Sequence, residues 1–351
     1  MKRILLFAAV SVALTGCVND ETESFDATPS NKKITFEAPF LGKVATRATD
    51  DNVAKYPEDQ SFKVWGWYHE GEYSTFKQST NWKNWMDANG NAVEVSKDES
   101  DSWWKSSDAY YWPKSENGKL TFAAYSPADL KATKIEHTAA GLQITDFTVP
   151  VEANVDVMYS DRTYNQMATN NSNQEPTNNY TGVQIHFHHA LSNICFTAKT
   201  EADYSGTMEI KITSIKVSGV ENKGTFNQTI TDGANAIDCK PAWNGSVEGT
   251  NEYTAYNETS EKLTTTAQPL GENLILLPQT FTENSNGIVT IDYTMNDVAC
   301  SSNINLNQEG YPENWEPGKR YTYNIIIGLT EIRFAPYVTE WEDVTDTDVH
   351  L

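Results

Sequence analysis

The sequence predicts an all-β protein built from β-sandwiches. Short runs in which apolar and polar residues alternate recur along the chain, as at residues 62–68 and 208–217, and polar turns separate them. Alternation with a period of two is typical of half-buried strands. No stretch of twelve residues has the pattern of an amphipathic helix. Many short strands joined by polar turns favour sandwiches, and 351 residues are enough for two of them.

The predicted strands divide into two groups. They lie at residues 34–40, 62–68, 120–125, 144–149, 155–159, 183–187, 193–198, 208–217, 274–277, 288–293, 321–327 and 332–338. Residues 168–180 are polar, rich in Asn and contain Pro176, which is typical of a linker or long loop. We therefore expect an N-terminal sandwich at 48–167 and a C-terminal sandwich with an acidic tail at 181–351.

The first 24 residues have the composition of an export signal. A basic start at residues 1–3 precedes an apolar run at 4–14, which is too short for a stable membrane span. Small residues then lead to Cys17. This order resembles the signal of a bacterial lipoprotein, which implies that residues 1–16 are removed and that Cys17 is lipidated. An ordinary signal peptide is the alternative. The acidic residues 18–24 predict a tether, or a signal for the outer face of the outer membrane.

Residues 17–47 are predicted to be a tether and a propeptide that contains a removable first strand. In residues 34–40, four apolar side chains share one face while Thr35 and Glu37 share the other. The apolar face consists of Ile34, Phe36, Ala38 and Phe40. A small, basic segment with Arg47 follows directly, and Ala48 comes next.

Composition and charge exclude several classes of protein. A net charge of −22 argues against nucleic acid as a partner, because phosphates would be repelled. A mean hydropathy of −0.56 predicts no further membrane span. Once Cys17 is acylated, Cys195, Cys239 and Cys300 remain, so at most one disulfide can form. Whether any of the three pair stays open.

The sequence contains no motif typical of an enzyme and predicts no cofactor. Its acidic residues are scattered, and nothing singles out two of them as general acid and base. His186 and His188 would share one face of a strand, so a surface metal site is conceivable. The favoured interpretation is that these histidines flank the end of a core strand and bind no metal.

A cluster of tryptophans among polar residues has two interpretations. It comprises Trp82, Trp85, Trp103, Trp104 and Trp112. Such rings could stack on sugars, or they could belong to the core of a sandwich. The first interpretation gives the alternative function, a surface lipoprotein that binds glycans through Trp82, Trp85, Trp103 and Trp104.

Four short motifs are spread along the chain. They are FHHALSNI at residues 187–194, WEPGKRYTYNI at 315–325, VTEW at 338–341 and ATRA at 45–48. These motifs resemble those of the fimbrillins, the fimbria subunits of gut and oral anaerobes. With the lipoprotein signal, they extend over nearly the whole chain in the expected order. The resemblance implies two transthyretin-like sandwiches in tandem and a role as a structural or adhesive subunit of a cell-surface fimbria.

The resemblance also implies a mechanism of assembly. An arginine-specific surface protease would cut between Arg47 and Ala48 and release the first strand. A strand from another subunit would then fill the groove, as in β-augmentation. The implied partners are other fimbria subunits, the protease, the outer membrane through the lipid of the precursor, and a glycan or protein on a host or bacterial surface.

The C-terminal tail is a poor candidate for the donated strand. Val349 and Leu351 would share one face, but Val344 would lie on the other, and acidic residues intervene. This pattern favours a tip or accessory subunit that only accepts a strand. A basic groove or a bulge could still allow donation.

Overall fold

The secondary-structure elements with described bounds are all β-strands, which confirms the predicted fold class. The computed structural model describes residues 29–37, 39–41, 55–73, 84–98, 103–138, 140–168, 182–204, 206–230, 239–249, 251–283 and 287–341. Among these residues, no helix is long and apolar enough to cross a membrane.

The strands of the described residues are numbered in chain order. They are β1 (Pro29–Lys33), β2 (Phe40–Leu41), β3 (Phe62–Glu70), β4 (Val93–Lys97), β5 (Trp104–Ser106), β6 (Tyr111–Pro113), β7 (Gly118–Ser126), β8 (Lys134–Thr138), β9 (Gly141–Thr148), β10 (Met158–Ser160), β11 (Thr163–Gln166), β12 (His186–His189), β13 (Ser192–Thr200), β14 (Ile210–Ser218), β15 (Lys223–Ile230), β16 (Cys239–Ser246), β17 (Glu252–Tyr256), β18 (Gln268–Pro269), β19 (Leu274–Leu276), β20 (Gln279–Thr280), β21 (Ile288–Met295), β22 (Val298–Asn305), β23 (Asn314–Trp315), β24 (Lys319–Ile327) and β25 (Ile332–Glu340).

The largest sheet contains the candidate site. Its strands follow the order β2-β12-β10-β7-β3-β4-β5, and β11 also pairs with β7. Most pairs are antiparallel, but β2 runs parallel to β12, with Phe40 opposite His186. β3 and β7 are nine residues long and almost wholly buried, because apolar residues lie on both of their faces.

Two sheets of the second half share one apolar core. The first has the order β18-β13-β24-β25, with β19 also on β13, and the second has the order β17-β14-β21-β22. The buried residues of this core include Phe196 and Tyr323 from the first sheet and Ile212 and Ile291 from the second. Sequence alternation predicts these strands because one face of each packs on the other sheet.

Two sheets contain strands from both sides of the predicted linker. β9 pairs with β15 in a sheet of order β16-β15-β9-β8. β12, which follows the linker in sequence, pairs with β10, which precedes it. The division into tandem sandwiches at residues 168–180 therefore stays a prediction, and most of those residues lie outside the described part of the chain.

Candidate functional site: the slot occupied by residues 29–41

Residues 29–41, called here the N-terminal segment, fill a slot between two parts of the chain that follow it. On one side, the amide of Phe36 donates to the Trp104 carbonyl at 3.0 Å, and the amide of Trp104 donates back at 3.2 Å. On the other side, the amide of Glu37 donates to the Val183 carbonyl at 3.1 Å, and the amide of Val183 donates to the Thr35 carbonyl at 3.0 Å. The segment thus pairs along one edge with the backbone at Trp104 and along its other edge with the backbone at Val183.

Two further bonds extend this attachment. The Ile34 amide donates to the Tyr110 carbonyl at 2.8 Å, and the Tyr56 amide donates to the Pro39 carbonyl at 3.1 Å. β1 also pairs with β6, and β2 pairs with β12. Loss of the segment would leave six backbone groups of the slot, three amides and three carbonyls, without these partners.

Apolar side chains of the segment belong to the core of the first half. Phe36 is fully buried, and its ring meets Phe62 and Phe122 edge to face at centroid distances of 6.0 and 5.8 Å. Ile34 and Leu41 are also buried in this core. Burial of three such side chains contributes roughly 5–9 kcal/mol as an upper estimate.

The predicted geometry of this segment needs one correction. We expected a single strand over residues 34–40 with Thr35 on the solvent face, but the structure has two short strands, β1 and β2, and bridges at Phe36 between them. Thr35 is only 3% exposed, so it is buried like its neighbours Ile34 and Phe36. The reason is that the segment lies inside a slot, where both of its edges are paired and both of its faces are covered. Ala38 lies outside the described residues, as does the side chain of Phe40.

Gly182 is a residue of this site that the sequence analysis missed. It has a φ of +43°, and a Cβ built on it would lie 2.5 Å from the Glu37 nitrogen and 2.7 Å from the Phe36 carbonyl carbon. Only glycine allows the chain to approach the segment this closely. No motif marks Gly182 in the sequence, because the clash involves residues almost 150 positions away.

Glu37 is the acidic residue of the segment that contacts the slot. Its carboxylate accepts a hydrogen bond of 3.0 Å from the Gln184 side chain. Burial raises the pKa of Glu37, and the bond from Gln184 opposes that rise.

The candidate glycan-binding tryptophans do not form one exposed surface. Trp104 is 1% exposed and packs against Tyr56 and Phe62, so neither face of its ring is open to a sugar. Trp85 is half-buried, stacks on Tyr68 and donates its indole N–H to a backbone carbonyl. Trp103 is also half-buried, and Trp82 lies outside the described residues. Glycan binding through these residues stays a prediction.

Three of the sequence motifs meet at the end of β12, which is a strand of the largest sheet. The amide of Gly318 donates to the Leu191 carbonyl at 2.9 Å, and the amide of Trp341 donates to the Gly318 carbonyl at 2.9 Å. The ring of Trp341 stacks on His189 at a centroid distance of 3.8 Å. The motif at 187–194 thus contacts the motifs at 315–325 and 338–341, which lie more than 100 residues further along the chain.

Most of the remaining predicted sites lie outside the described residues, but two of the cysteines lie within them. Cys17, Arg47, Ala48 and the tail residues Val344, Val349 and Leu351 all lie outside the described residues. Cys195 and Cys300 are free thiols, and burial raises the pKa of Cys195 to about 11. The side chain of Cys239 is outside the described set.

The histidines of the 187–194 motif and its neighbours have carboxylate partners. His186 Nδ1 lies 2.7 Å from Asp161 Oδ2, and His188 Nε2 lies 2.9 Å from Asp161 Oδ1. Burial alone would raise the pKa of Asp161, but its hydrogen bonds to the two imidazoles lower it to about 2. His189 makes a separate contact of 2.8 Å with Asp156.

Comparison with known proteins places the chain in a family. The sequence model of the fimbrillin-like family matches residues 46–341, so the chain belongs to that family. The match begins one residue before Arg47 and ends at Trp341. Membership identifies a structural protein and not an enzyme. None of the curated proteins compared with the chain matches it.

Solved structures share the fold at low sequence identity. A fimbrial protein from Bacteroides vulgatus has 18% identity and a TM-score of 0.59, with 89% of this chain and 100% of that chain covered. A candidate cell adhesion protein from Bacteroides uniformis has 14% identity and a TM-score of 0.52, with 88% and 99% covered. Another from Bacteroides ovatus has 13% identity and a TM-score of 0.51, with 91% and 99% covered.

Proposed function

We propose that the chain is a structural or adhesive subunit of a cell-surface fimbria, and that its N-terminal segment occupies the acceptor slot until assembly. The observation that carries this proposal is the double edge pairing of residues 35–37, between Trp104 and Val183. An unfilled slot would expose six backbone groups and the apolar contacts of Phe36. Unpaired strand edges of this kind are templates for a strand from another chain.

In this proposal, the precursor is exported as a lipoprotein on Cys17 and held at the outer membrane. An arginine-specific surface protease cuts after Arg47, and the freed segment leaves the slot. A strand of another fimbria subunit then takes its place. The family match begins at residue 46, one residue before Arg47, and this start supports a boundary at this point.

A peptide-binding experiment tests the slot directly. The full chain is cut with an arginine-specific protease, the released segment is removed, and a fluorescent peptide of residues 29–41 is added. We expect the peptide to bind the cut protein. The same peptide with Phe36→Ala should bind at least about 100-fold more weakly, because a buried Phe→Ala change costs about 3–5 kcal/mol.

Two variants of the chain control for the cut itself. Arg47→Lys should resist the protease and not bind the peptide, whereas Arg333→Lys, at an exposed arginine paired with Glu201, should behave like the wild type. Peptide binding to uncut Arg47→Lys with the same affinity would contradict the proposal. So would a cut protein that stays folded, as judged by circular dichroism, and does not bind the peptide.

A further inference from the structure

The group formed by Asp161, His186 and His188 has the chemistry of a metal site. One ligand atom from each of the three residues lies within 4.8 Å of the other two. It is the one such group of three found in the part of the chain that the structure describes. Two imidazole nitrogens and one carboxylate oxygen are a common protein ligand set for Zn²⁺, with a fourth position left for water or another ligand.

Strand pairing fixes the position of all three ligands. His186 and His188 are two residues apart on β12, so their side chains lie on the same face of the strand. β10 pairs with β12 so that Tyr159 is opposite His188 and Ser160 is opposite Phe187, which places the following residue, Asp161, opposite His186. The Asp161 amide also donates to the His186 carbonyl at 3.0 Å. The ligands are therefore held by backbone structure, not by a loose surface loop.

The side chains are held in place and remain accessible. His188 stacks on Tyr159 at a centroid distance of 5.3 Å, and 29% of its side chain is exposed. The side chains of Asp161 and His186 are 17% and 9% exposed. An ion can thus enter past His188, while burial of the other two ligands limits competition from water.

We propose that Asp161, His186 and His188 bind a divalent transition-metal ion of the Zn²⁺ class. With Zn²⁺ bonds of about 2.0–2.2 Å in a tetrahedral arrangement, the ligand atoms would be about 3.3 Å apart. The contacts of 2.7 and 2.9 Å reach different oxygens of Asp161, Oδ2 and Oδ1, and the three ligand atoms lie within 4.8 Å of one another. Adjustments of at most about 1.5 Å therefore bring the ligand atoms to this separation. The net charge of −22 favours the approach of cations to the chain.

The guanidinium of Arg162, the positive charge next to Asp161 in sequence, has hydrogen-bond partners of its own. Arg162 follows Asp161 in sequence, but its guanidinium donates to the hydroxyl of Tyr73 and to the carbonyl of Thr138. These two hydrogen bonds hold the guanidinium on groups other than the three ligands.

The site lies beside the slot. His186 is opposite Phe40 of β2, so β12 becomes the edge of its sheet when the N-terminal segment leaves. A bound ion would link the end of β10 to β12 and hold this edge strand in position for an incoming strand. This consequence rests on the proposed function, but the metal site itself does not.

Titration of the metal-free full chain with Zn²⁺ tests the site. Calorimetry should show one ion bound per chain, and Co²⁺ as a probe should give the visible absorption typical of a tetrahedral site. Asp161→Asn and His188→Gln should each weaken Zn²⁺ binding by at least about tenfold, since even loss of a residue behind a ligand costs 10–100-fold.

The control is His350→Ala, at the only histidine of the acidic tail. It should bind Zn²⁺ like the wild type, and circular dichroism should show that every variant is folded. The proposal is overturned if binding survives both Asp161→Asn and His188→Gln, if it disappears with His350→Ala, or if no saturable binding occurs. None of these outcomes depends on cleavage or assembly, so the proposed function is tested separately.

Discussion

Gly182→Ala should weaken the attachment of the N-terminal segment to the slot. The substitution removes no contact, but it adds a methyl group where the backbone of the segment leaves no space. The new methyl group would lie 2.5 Å from the Glu37 nitrogen and 2.7 Å from the Phe36 carbonyl carbon, so the backbone of the segment must shift. The positive φ of +43° adds strain of about 1 kcal/mol for any residue with a Cβ. Overpacking adds about 1–3 kcal/mol. We therefore expect a loss of about 2–4 kcal/mol in unfolding free energy.

Gly318→Ala is the matched control for backbone strain. Gly318 has a φ of +69°, but the nearest atom to an added Cβ is 3.6 Å away, so this variant should lose only about 1 kcal/mol. Urea unfolding of the uncut chains measures both losses. Hydrogen exchange at the Trp104 and Val183 amides, which donate to the segment, should speed up in Gly182→Ala alone. Equal losses in the two variants, with unchanged exchange at those amides, would refute the reasoning.

Three further predictions concern single side chains. Phe36→Ala should lower the unfolding free energy of the uncut chain by about 3–5 kcal/mol, because the ring is fully buried. Trp341→Ala should cost a similar amount by removing the ring stacked on His189, as measured by urea unfolding. The Asp161 carboxylate should contribute about 2 kcal/mol of stability above pH 4, which is lost as the pH falls to 2 because its folded pKa is about 2. Asp161→Asn should lack this acid-dependent loss.

An exposed aromatic residue supplies the control for the two aromatic substitutions. Tyr337→Ala, at a residue that is 54% exposed on the edge strand β25, should change the unfolding free energy by less than about 1 kcal/mol. If Phe36→Ala or Trp341→Ala costs no more than this exposed control, the packing described here does not hold the chain together. Identical acid unfolding of Asp161→Asn and the wild type would remove the carboxylate from the account of pH dependence.

Strands with strong alternation could be predicted from the sequence, whereas polar strands could not. β21 has apolar residues at every second position from Val289 to Met295, and β14 has two alternating pairs that a register shift near Ser214 separates. One face of each strand packs on the common core. β15 and β16 have no such pattern, and β16 contains Pro241, which an edge strand tolerates. The pairing of β15 with β9 and of β16 with β15 depends on the whole sheet and leaves no local signal.

The same distinction separates the features of the candidate site that the sequence predicts from those that it does not. Alternation correctly identifies an apolar segment before Arg47, but it cannot show that the segment is paired on both edges, so the burial of Thr35 was missed. It also places His186 and His188 on one face. Asp161 joins them only through the register of β10 with β12, which no spacing in the sequence contains. Gly182 is visible only once the segment lies against it.

The measurement that tests the account most directly is the N-terminus of the protein in assembled fimbriae from native cells, determined by mass spectrometry. We predict that it begins at Ala48, since the segment that fills the slot must leave before another strand can enter. A lipidated terminus at Cys17 in the assembled form would mean that residues 34–37 still occupy the slot. That result would contradict strand exchange as the basis of assembly.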